Sequence, residues 1–584
     1  MYGAAAARSM IDGASFLAPF GNTWPFLEPA GTNPTLIESR FSVGLRVGRS
    51  HKAMLRRHLL VLCWLAVGSA GPAWAQEQPP AEAQTAPPDP AQAQAQAEPE
   101  EDRPTEPFSR DILLQRAAEL AAHPHALPPR PNGEGEARLT YDQYRSIRFD
   151  PDAAIWNGEN RAFVVDLLYP GFIYDVPVNI NLVVGGTARR VLFKNTLFTS
   201  DPSAYGAQAP PAAATRENTG YSGFRVRAPL NEADQLDDFL MFQGASYFRA
   251  AAKGQLFGLF ARGLAVRTAR PEGEEFPYFT DFWIERPPEE AERIVIHALL
   301  QSPSVVGAYT FTAQPGEETV VDVEVALFPR VELAAFGIAP LTSMFLFDAS
   351  NRTRFDDFRS AVHDSDGLQI VTGRGERLWR PLANPRMIPR GSYFPDENPK
   401  GFGLVQRKRS FADYQDAEAQ YERRPSLWVE PAAEWGSGHV ELFEIPLPRE
   451  VNNNIVAYWQ PATALPAGQR ADFAYRLRFT DEPLDDSLAR VVATRVGQSL
   501  NAEGQRSFVI DFKGVGDIPE NIVPEVWSSA GEVYAPRGQV VPQAGVYRVT
   551  FELDPLRENL IELRTVLHSG GKPWGETWLY QWTR

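Results

Sequence analysis

Cysteine is almost missing from this chain of 584 residues, since Cys63 is the only one. A single thiol excludes an intrachain disulfide framework, a cysteine-based zinc site and an iron–sulfur cluster. A basic excess is missing too, because 57 Lys and Arg stand against 73 Asp and Glu, which gives a formal charge of −16. Nucleic acids and anionic membranes bind basic faces, so the charge balance argues against both as partners.

Common catalytic signatures are also missing. The chain has no GxSxG elbow, no GxxxxGK[ST] loop, no HExxH pair and no EF-hand run. Hydrolase-elbow, P-loop and zincin interpretations therefore lack support. His123 and His125 lie close together, but in a proline-rich turn that favours a solvated loop over a metal site. We predict neither a metal site nor a cofactor.

Residues 54–75 have the pattern of a cleaved signal peptide. Arg56 and Arg57 precede an apolar stretch at 59–67, and the segment ends on Ala73-x-Ala75. The apolar stretch is too short to span a bilayer, which takes about 20 helical residues. We predict export by the Sec or the Tat route, a mature protein that does not span the membrane, and an upstream extension over 1–53.

Two changes of pattern divide the rest of the chain. Residues 76–106 are rich in Ala, Gln, Pro and Glu, which predicts a disordered tether. Ser109 is the predicted N-cap of a helix that ends near Ala122, with Ile112, Leu113, Ala117 and Leu120 on its apolar face. Beyond Tyr141, short segments alternate between apolar and polar residues, as at 321–327 and 473–479. This alternation predicts an all-β protein built of antiparallel sandwiches.

A break at 481–486 leaves a C-terminal segment of the size of one immunoglobulin-like sandwich. We predict a large antiparallel β-sandwich domain over 107–481, a linker over 482–489 and an immunoglobulin-like domain over 490–584.

The central block combines many aromatic rings with Arg, Asp, Glu and Asn. Flat rings stack on the C–H face of a sugar while the polar groups bond its hydroxyls, so the block favours a carbohydrate cleft. Turn-rich surroundings predict that Trp379, Trp428 and Trp435 lie in loops. The candidate sugar-binding residues are Tyr247, Arg249, Trp379, Lys400, Arg409, Arg424, Trp428 and Trp435. The alternatives are that the rings fill the core and the cations form structural salt bridges.

Acid–base chemistry on a glycosidic bond needs two carboxyl groups, one protonated and one ionised. Composition alone does not choose among the suppliers in this block, which are Asp364, Asp366, Glu397, Glu430, Glu444 and Glu450.

Eight motifs follow one another along the chain: GASYFRA (244–250), EEFPYFTDFWIERP (274–287), APLTSMFLF (339–347), HDSDGL (363–368), NPKGFGLVQ (398–406), RPSLWVEP (424–431), NNIVAYWQP (453–461) and ETWLYQ (576–581). In these motifs and their order the chain resembles the family of periplasmic glucan biosynthesis proteins G and D, which serve osmoregulated periplasmic glucan synthesis. RPSLWVEP, WQP and the run at 489–495 favour the D type. The resemblance implies a sandwich related to galactose mutarotase, a periplasmic location, a β-glucan oligosaccharide as ligand and an inner-membrane glucan synthase as partner.

Some members of that family resemble inverting glycoside hydrolases that cut β-1,2-glucan internally. The resemblance implies that Asp364 is the general base, acting through water, and it aligns Asn453 with the general-acid aspartate. An amide cannot donate that proton, and losing general-acid assistance costs about 10²–10⁴-fold in rate. Catalysis therefore stays open between binding without cutting, Glu450 as a substitute acid, and another reaction such as chain transfer.

Two further readings of function remain. The first is a non-catalytic accessory protein that receives glucan from the synthase. The second is an aldose-epimerase-like enzyme, which is disfavoured because a shared fold does not transfer function.

Overall fold

A computed structural model describes residues 105–126, 139–205 and 220–584. The predicted upstream extension, the signal peptide and the tether up to residue 104 lie outside the described residues. The helices are short: α1 Arg110–Ala121, α2 Tyr141–Arg145 and α3 Phe411–Tyr414. Within the described ranges no helix has the length and apolar character needed to cross a membrane.

Strands make up most of the ordered structure. In the first part of the chain they are β1 Thr105–Pro107, β2 Ile147–Phe149, β3 Val164–Leu168, β4 Asn179–Val184, β5 Thr187–Arg190, β6 Phe198–Ser200, β7 Gly223–Pro229, β8 Leu236–Gln243, β9 Tyr247–Ala250, β10 Phe260–Arg262, β11 Ala265–Val266, β12 Tyr278–Glu285, β13 Ile294–Gln301, β14 Val305–Gln314, β15 Thr319–Pro329, β16 Phe336–Ser343 and β17 Phe345–Phe347. They continue with β18 Val362–His363, β19 Gly367–Val371, β20 Arg377–Pro381, β21 Arg390–Glu397, β22 Gly401–Val405, β23 Ser426–Pro431, β24 Ser437–Glu444, β25 Ile455–Pro461, β26 Ala471–Thr480, β27 Arg490–Gln498, β28 Arg506–Lys513, β29 Ile522–Ser528, β30 Glu532–Val541, β31 Val546–Asp554, β32 Leu560–Ser569, β33 Lys572–Pro573 and β34 Thr577–Thr583.

Two sheets pack face to face. The large sheet runs in the order β1-β5-β4-β12-β13-β14-β15-β26-β23-β22-β19-β20-β34-β32-β29, and the second sheet in the order β21-β24-β25-β16-β10-β9-β8-β7-β3. One apolar core fills the space between them. Phe242 of the second sheet and Phe311 of the large sheet meet there, with ring centroids 5.1 Å apart. The predicted all-β sandwich is confirmed.

The alternating segments form the strands that their period predicts. Val321, Val323 and Val325 of β15 are buried, while Glu324 between them is exposed. The segment 473–479 belongs to β26, which pairs with β15 in antiparallel register. Because side chains alternate between the faces of a strand, both strands present their apolar side to the same core.

The N-terminal helix confirms its predicted cap and corrects part of its predicted face. The Ser109 hydroxyl accepts a hydrogen bond from the Ile112 N–H at 3.3 Å, and Leu113 and Ala117 are buried. The expectation that Ile112 also faces the core is wrong, because its side chain is exposed. A strand precedes the helix, since β1 pairs with β5 from Thr105 to Pro107.

The C-terminal strands form two layers around a second apolar cluster. Strands β27, β28, β31 and β30 make a four-stranded sheet, while β29, β32 and β34 extend the large sheet. The extension is made by a parallel pairing, in which Trp379 of β20 faces Trp578 of β34. The backbone hydrogen bonding of the large sandwich therefore continues into the C-terminal strands, and the domain boundary stays a prediction.

Candidate functional site

Asp364 lies directly after β18, where its own N–H donates to the Met344 carbonyl at 2.8 Å. Its side chain is buried, with only 4% of the residue exposed. The carboxylate accepts a hydrogen bond from the Arg424 guanidinium. A buried carboxylate needs such a partner, because an isolated charge away from water is costly. Asp364 is therefore enclosed among charged groups.

Arg424 is fixed from several sides. It follows the 3₁₀ turn Tyr421–Arg423, donates to the Ala419 carbonyl at 3.1 Å, and lies 4.3 Å from the centre of the Tyr421 ring. Burial lowers the pKa of Arg424, but the charges of Asp364 and Tyr421 raise it by more, so the net shift is upward. The guanidinium is held as a cation against Asp364.

Tyr247 and Arg249 project from β9 on the side away from the core, since Phe248 and Ala250 between and beside them are buried in it. We call this side of the second sheet its outer face. The Arg249 guanidinium lies 4.8 Å from the Phe257 ring centre and 5.0 Å from that of Phe260.

The charge of Arg249 links the outer face to the Asp364–Arg424 pair. Burial lowers its pKa, Tyr174 raises it, and the nearby charges of Arg424 and Asp364 act in opposite directions, with a net downward shift. Arg249 therefore lies within electrostatic range of Asp364 and Arg424.

Further polar side chains continue the outer face beyond Tyr247. Arg262 of β10 lies opposite Tyr247 and pairs with Glu274 at 2.7 Å. On β24 and β25, Glu441 lies opposite Tyr458 and pairs with Arg270 at 3.2 Å. Arg262, Glu441 and Tyr458 are all buried, so this part of the outer face is a covered layer of aromatic rings and paired charges.

Glu450 reaches the same neighbourhood through Arg359. The Arg359 guanidinium holds three carboxylates from different segments, with distances of 2.8 Å to Asp357, 2.7 Å to Asp416 and 2.8 Å to Glu450. A carboxylate bound to a guanidinium is ionised and accepts hydrogen bonds. Arg359 therefore holds the Glu450 carboxylate in an ion pair as a hydrogen-bond acceptor.

Asn453 follows the turn that carries Glu450, and its side chain is half-buried with no hydrogen bond to any described residue. The next residue, Asn454, is fully anchored. Its amide accepts from the Phe345 N–H at 2.8 Å and donates to the Phe345 and Ile445 carbonyls at 3.0 Å. Phe345 belongs to β17, which pairs with β18, the strand that leads into Asp364. Asn454 therefore fixes the turn of Glu450 and Asn453 to the strand pair that carries Asp364.

Asp366 and His363, which flank Asp364, are buried structural groups. Burial raises the pKa of Asp366, but Lys408 and His363 lower it by more, so the net shift is downward. Burial lowers the pKa of His363, which lies between the rings of Phe345 and Tyr414. The N–H groups of Arg407 and Lys408 also donate to the Asp366 carboxylate. These contacts hold the loop on which Asp364 lies.

Two of the predicted cations have other surroundings. Arg409 donates to the Arg424 carbonyl and to the Asp481 carbonyl, the latter at 3.0 Å, so it braces the backbone of Arg424. Lys400 is exposed. Its backbone N–H donates to the carbonyl of Val371, which is the last residue of β19, whereas Asp364 lies before the first. The structure does not bring Lys400 to Asp364.

The predicted tryptophans are buried. The expectation that they lie in loops is wrong for Trp379 and Trp428, which belong to β20 and β23. Trp379 is covered by Arg407, whose guanidinium carbon is 3.5 Å from the ring centre. Trp428 packs over Gly401 and Gly403 of the neighbouring strand. None of these faces is open to a sugar.

Trp435 does lie in a loop, but it packs against Trp459 and Tyr475 in the main core. Of the four predicted stacking rings, only Tyr247 lies on the outer face. Two shallow cavities of the described surface, one within 312–322 beside Arg293 and one within 285–295, contain no residue predicted for the site.

Tyr421, Asp416 and Arg359 surround Arg424 and were not revealed by the sequence: the Tyr421 ring contacts Arg424, the Asp416 charge acts on it, and Arg359 binds Asp416. Tyr421 had a usable signal, because it precedes Arg424 by three residues and such pairs meet across a helical turn. Arg359 had none, since its three carboxylate partners are spread over the chain at 357, 416 and 450.

Comparison with known proteins identifies the family. The family model described as "Periplasmic glucan biosynthesis protein, MdoG" matches residues 108–582. The "Glucans biosynthesis protein G 1" of Shewanella oneidensis is 44% identical over 539 residues, which cover 90% of this chain and 97% of that protein. The "Glucans biosynthesis protein G" of Shewanella frigidimarina is 47% identical over 480 residues, covering 82% and 85%.

Both relatives carry the G name, so they give no support to the expected preference for the D type. The match extends over both the large sandwich and the C-terminal strands. The chain therefore belongs to the family of periplasmic glucan biosynthesis proteins.

Proposed function

We propose that this protein binds a neutral β-1,2-glucan chain on the outer face of the second sheet, with the Asp364–Arg424 pair at one end of the bound segment. Family membership supports a role in glucan biosynthesis in the periplasm. Tyr247, half-buried with the Arg262 guanidinium 5.1 Å from its ring centre, would offer the exposed part of its ring, and Arg249 with its charged neighbours would offer hydrogen bonds to hydroxyls. The glucan would reach the protein from an inner-membrane glucan synthase.

We propose further that the protein presents the glucan without hydrolysing it. The observation that carries this proposal is the state of the acid groups around Asp364. Hydrolysis with inversion needs a protonated acid opposite the base. An amide stands at Asn453, and Glu450 is ion-paired with Arg359 at 2.8 Å. The amide cannot give a proton to a leaving oxygen, and the ion pair with Arg359 uses the Glu450 carboxylate as an acceptor.

Binding is tested by calorimetric titration of linear β-1,2-glucan into the full chain. Asp364→Asn and Arg424→Met should weaken binding by about tenfold or more, since each removes a charge-assisted contact or its support. Arg476→Met is the matched control, because Arg476 pairs with Asp322 on exposed strands and lies apart from the site. If the control weakens binding as much as the site variants do, the binding face is misidentified.

Catalysis is tested by following chain length and anomeric form in the same mixtures. The wild type should leave the glucan intact, and Asn453→Asp should gain hydrolysis if only the acid is missing. Cleavage by the wild type that disappears in Asp364→Asn would overturn the non-catalytic proposal. Cleavage that disappears instead in Glu450→Gln would identify Glu450 as the substitute acid.

A further inference from the structure

The C-terminal end of the large sheet carries an open, mixed aromatic and polar surface far along the sheet from Asp364. We call it the Trp527 face. It consists of Val523, Glu525 and Trp527 on β29, Arg564, Val566 and His568 on β32, and Leu579 on β34. Strand alternation and register put all of these side chains on one side of the three strands.

Trp527 is unlike the other tryptophans described above, because 58% of it is exposed. It lies directly opposite Arg564 on the neighbouring strand, and Arg564 lies opposite Leu579 on the next. Val523 on the same face is also exposed, at 56%. An exposed indole on a rigid strand is a flat apolar plate with little conformational entropy to lose.

The Trp527 face carries one cation, Arg564, one carboxylate, Glu525, and one imidazole, His568. Arg564 donates to Glu376, which precedes β20, at 2.5 Å, and His568 lies 3.6 Å from Glu525. Arg564 remains 47% exposed, so its other N–H groups are open to a ligand. One cation and one carboxylate beside an exposed indole suit a neutral partner that offers both hydroxyls and C–H faces.

The dimensions favour a small ligand over a protein. Four residue steps along β29 and two strand spacings give about 14 Å by about 10 Å. This area is well below the roughly 800 Å² per partner of a stable protein interface. It is the scale of a short oligosaccharide.

We infer that the Trp527 face is a second binding surface for a neutral β-linked oligosaccharide, distinct from the outer face of the second sheet. The inference rests on the proposed glucan binding. A sugar ring would stack on Trp527 while Arg564 and Glu525 bond its hydroxyls. Two separate surfaces on one chain would raise the avidity for a long glucan over a short one.

Hydroxyl-radical footprinting of the full chain, read by mass spectrometry, tests this inference residue by residue. Linear β-1,2-glucan should protect Trp527 from oxidation. Tyr534 is the matched control, since it is 40% exposed on β30 of the four-stranded sheet and should oxidise equally with and without glucan. Equal oxidation of Trp527 with and without glucan would overturn the inference.

Variants separate this inference from the proposed function. Trp527→Ala and Arg564→Ala should each weaken binding of a long glucan by about tenfold and leave a short fragment bound at the outer face unchanged. Tyr534→Ala should alter neither. If Arg424→Met abolishes all binding while Trp527→Ala changes nothing, the proposed function stands and the second surface falls. If no variant or wild-type sample binds glucan, both fall. If Trp527 is protected only by a second protein, the face is a protein-docking surface and the inference is overturned.

Discussion

Arg424→Met, which breaks the Asp364–Arg424 pair, should destabilise the fold, and adding Asp364→Asn should restore part of the lost stability. Arg424→Met leaves the Asp364 carboxylate, which is 4% exposed, without its guanidinium. Removing one partner of a buried pair costs about 3–5 kcal/mol. Since the Arg424 side chain is itself 21% exposed, we expect the lower end, about 3 kcal/mol.

Asp364→Asn should cost less, about 1–2 kcal/mol, because Arg424 keeps its bonds to the Ala419 carbonyl and its contact with the Tyr421 ring. In the double variant neither charge is left unpaired. We therefore expect the double variant to be more stable than Arg424→Met alone.

The thermal unfolding midpoints of the wild type, the two single variants and the double variant are compared in a double-mutant cycle. A chain of this size need not unfold in two states, so the four midpoints are compared with one another and not converted into absolute free energies. The expected order is wild type highest and Arg424→Met lowest. A double variant less stable than Arg424→Met, or effects that simply add, would refute the claim that the two side chains are coupled.

Three further predictions concern groups around the site. Because burial lowers the pKa of His363 in the fold, the unfolded chain takes up a proton first, and stability declines as the pH falls below about 6.5. His363→Gln should flatten that decline in thermal midpoints, whereas His123→Gln at an exposed position should not. Glu576→Gln should lower the unfolding midpoint by the equivalent of about 3 kcal/mol, because Arg407 would lose its buried carboxylate; an unchanged midpoint would contradict this. Gly403→Ala should cost about 1–3 kcal/mol, since its Cβ would lie 2.4 Å from the Leu427 carbonyl oxygen and 2.8 Å from the Trp428 ring, while Gly497→Ala, which meets open space, is the control.

The period of the sequence predicted strands well because side-chain alternation is a local property. The segments around Val323 and Tyr475 were recognisable from their own residues, and both form the expected half-buried strands. Their pairing with each other joins positions about 150 residues apart in sequence, and alternation carries no information about such partners. The all-β class was therefore predictable, whereas the sheet order was not.

The candidate site was predictable only where a motif carried it. Asp364 and Arg424 were chosen separately, and their ion pair emerges only from the fold. The tryptophans failed as exposed platforms for a physical reason. Gly401 and Gly403 leave room on β22 for the Trp428 ring, and the cation of Arg407 covers Trp379. Whether a ring is free or covered depends on neighbouring strands, which local composition does not show.

The C-terminal strands help to hold the loop that carries Asp364. Arg407 bonds Glu576 of the C-terminal segment through two N–H groups, at 2.8 and 2.9 Å, and lies over Trp379 of the large sandwich. The N–H of the same residue donates to the Asp366 carboxylate at 2.6 Å, two residues from Asp364. Since this network is buried and every link is charged or charge-assisted, displacing β34 would leave Arg407 unpaired. The position of Asp364 therefore depends on strands that lie more than 200 residues further along the chain, and a chain cut before Glu576 should lose the geometry of the site as well as its C-terminal strands.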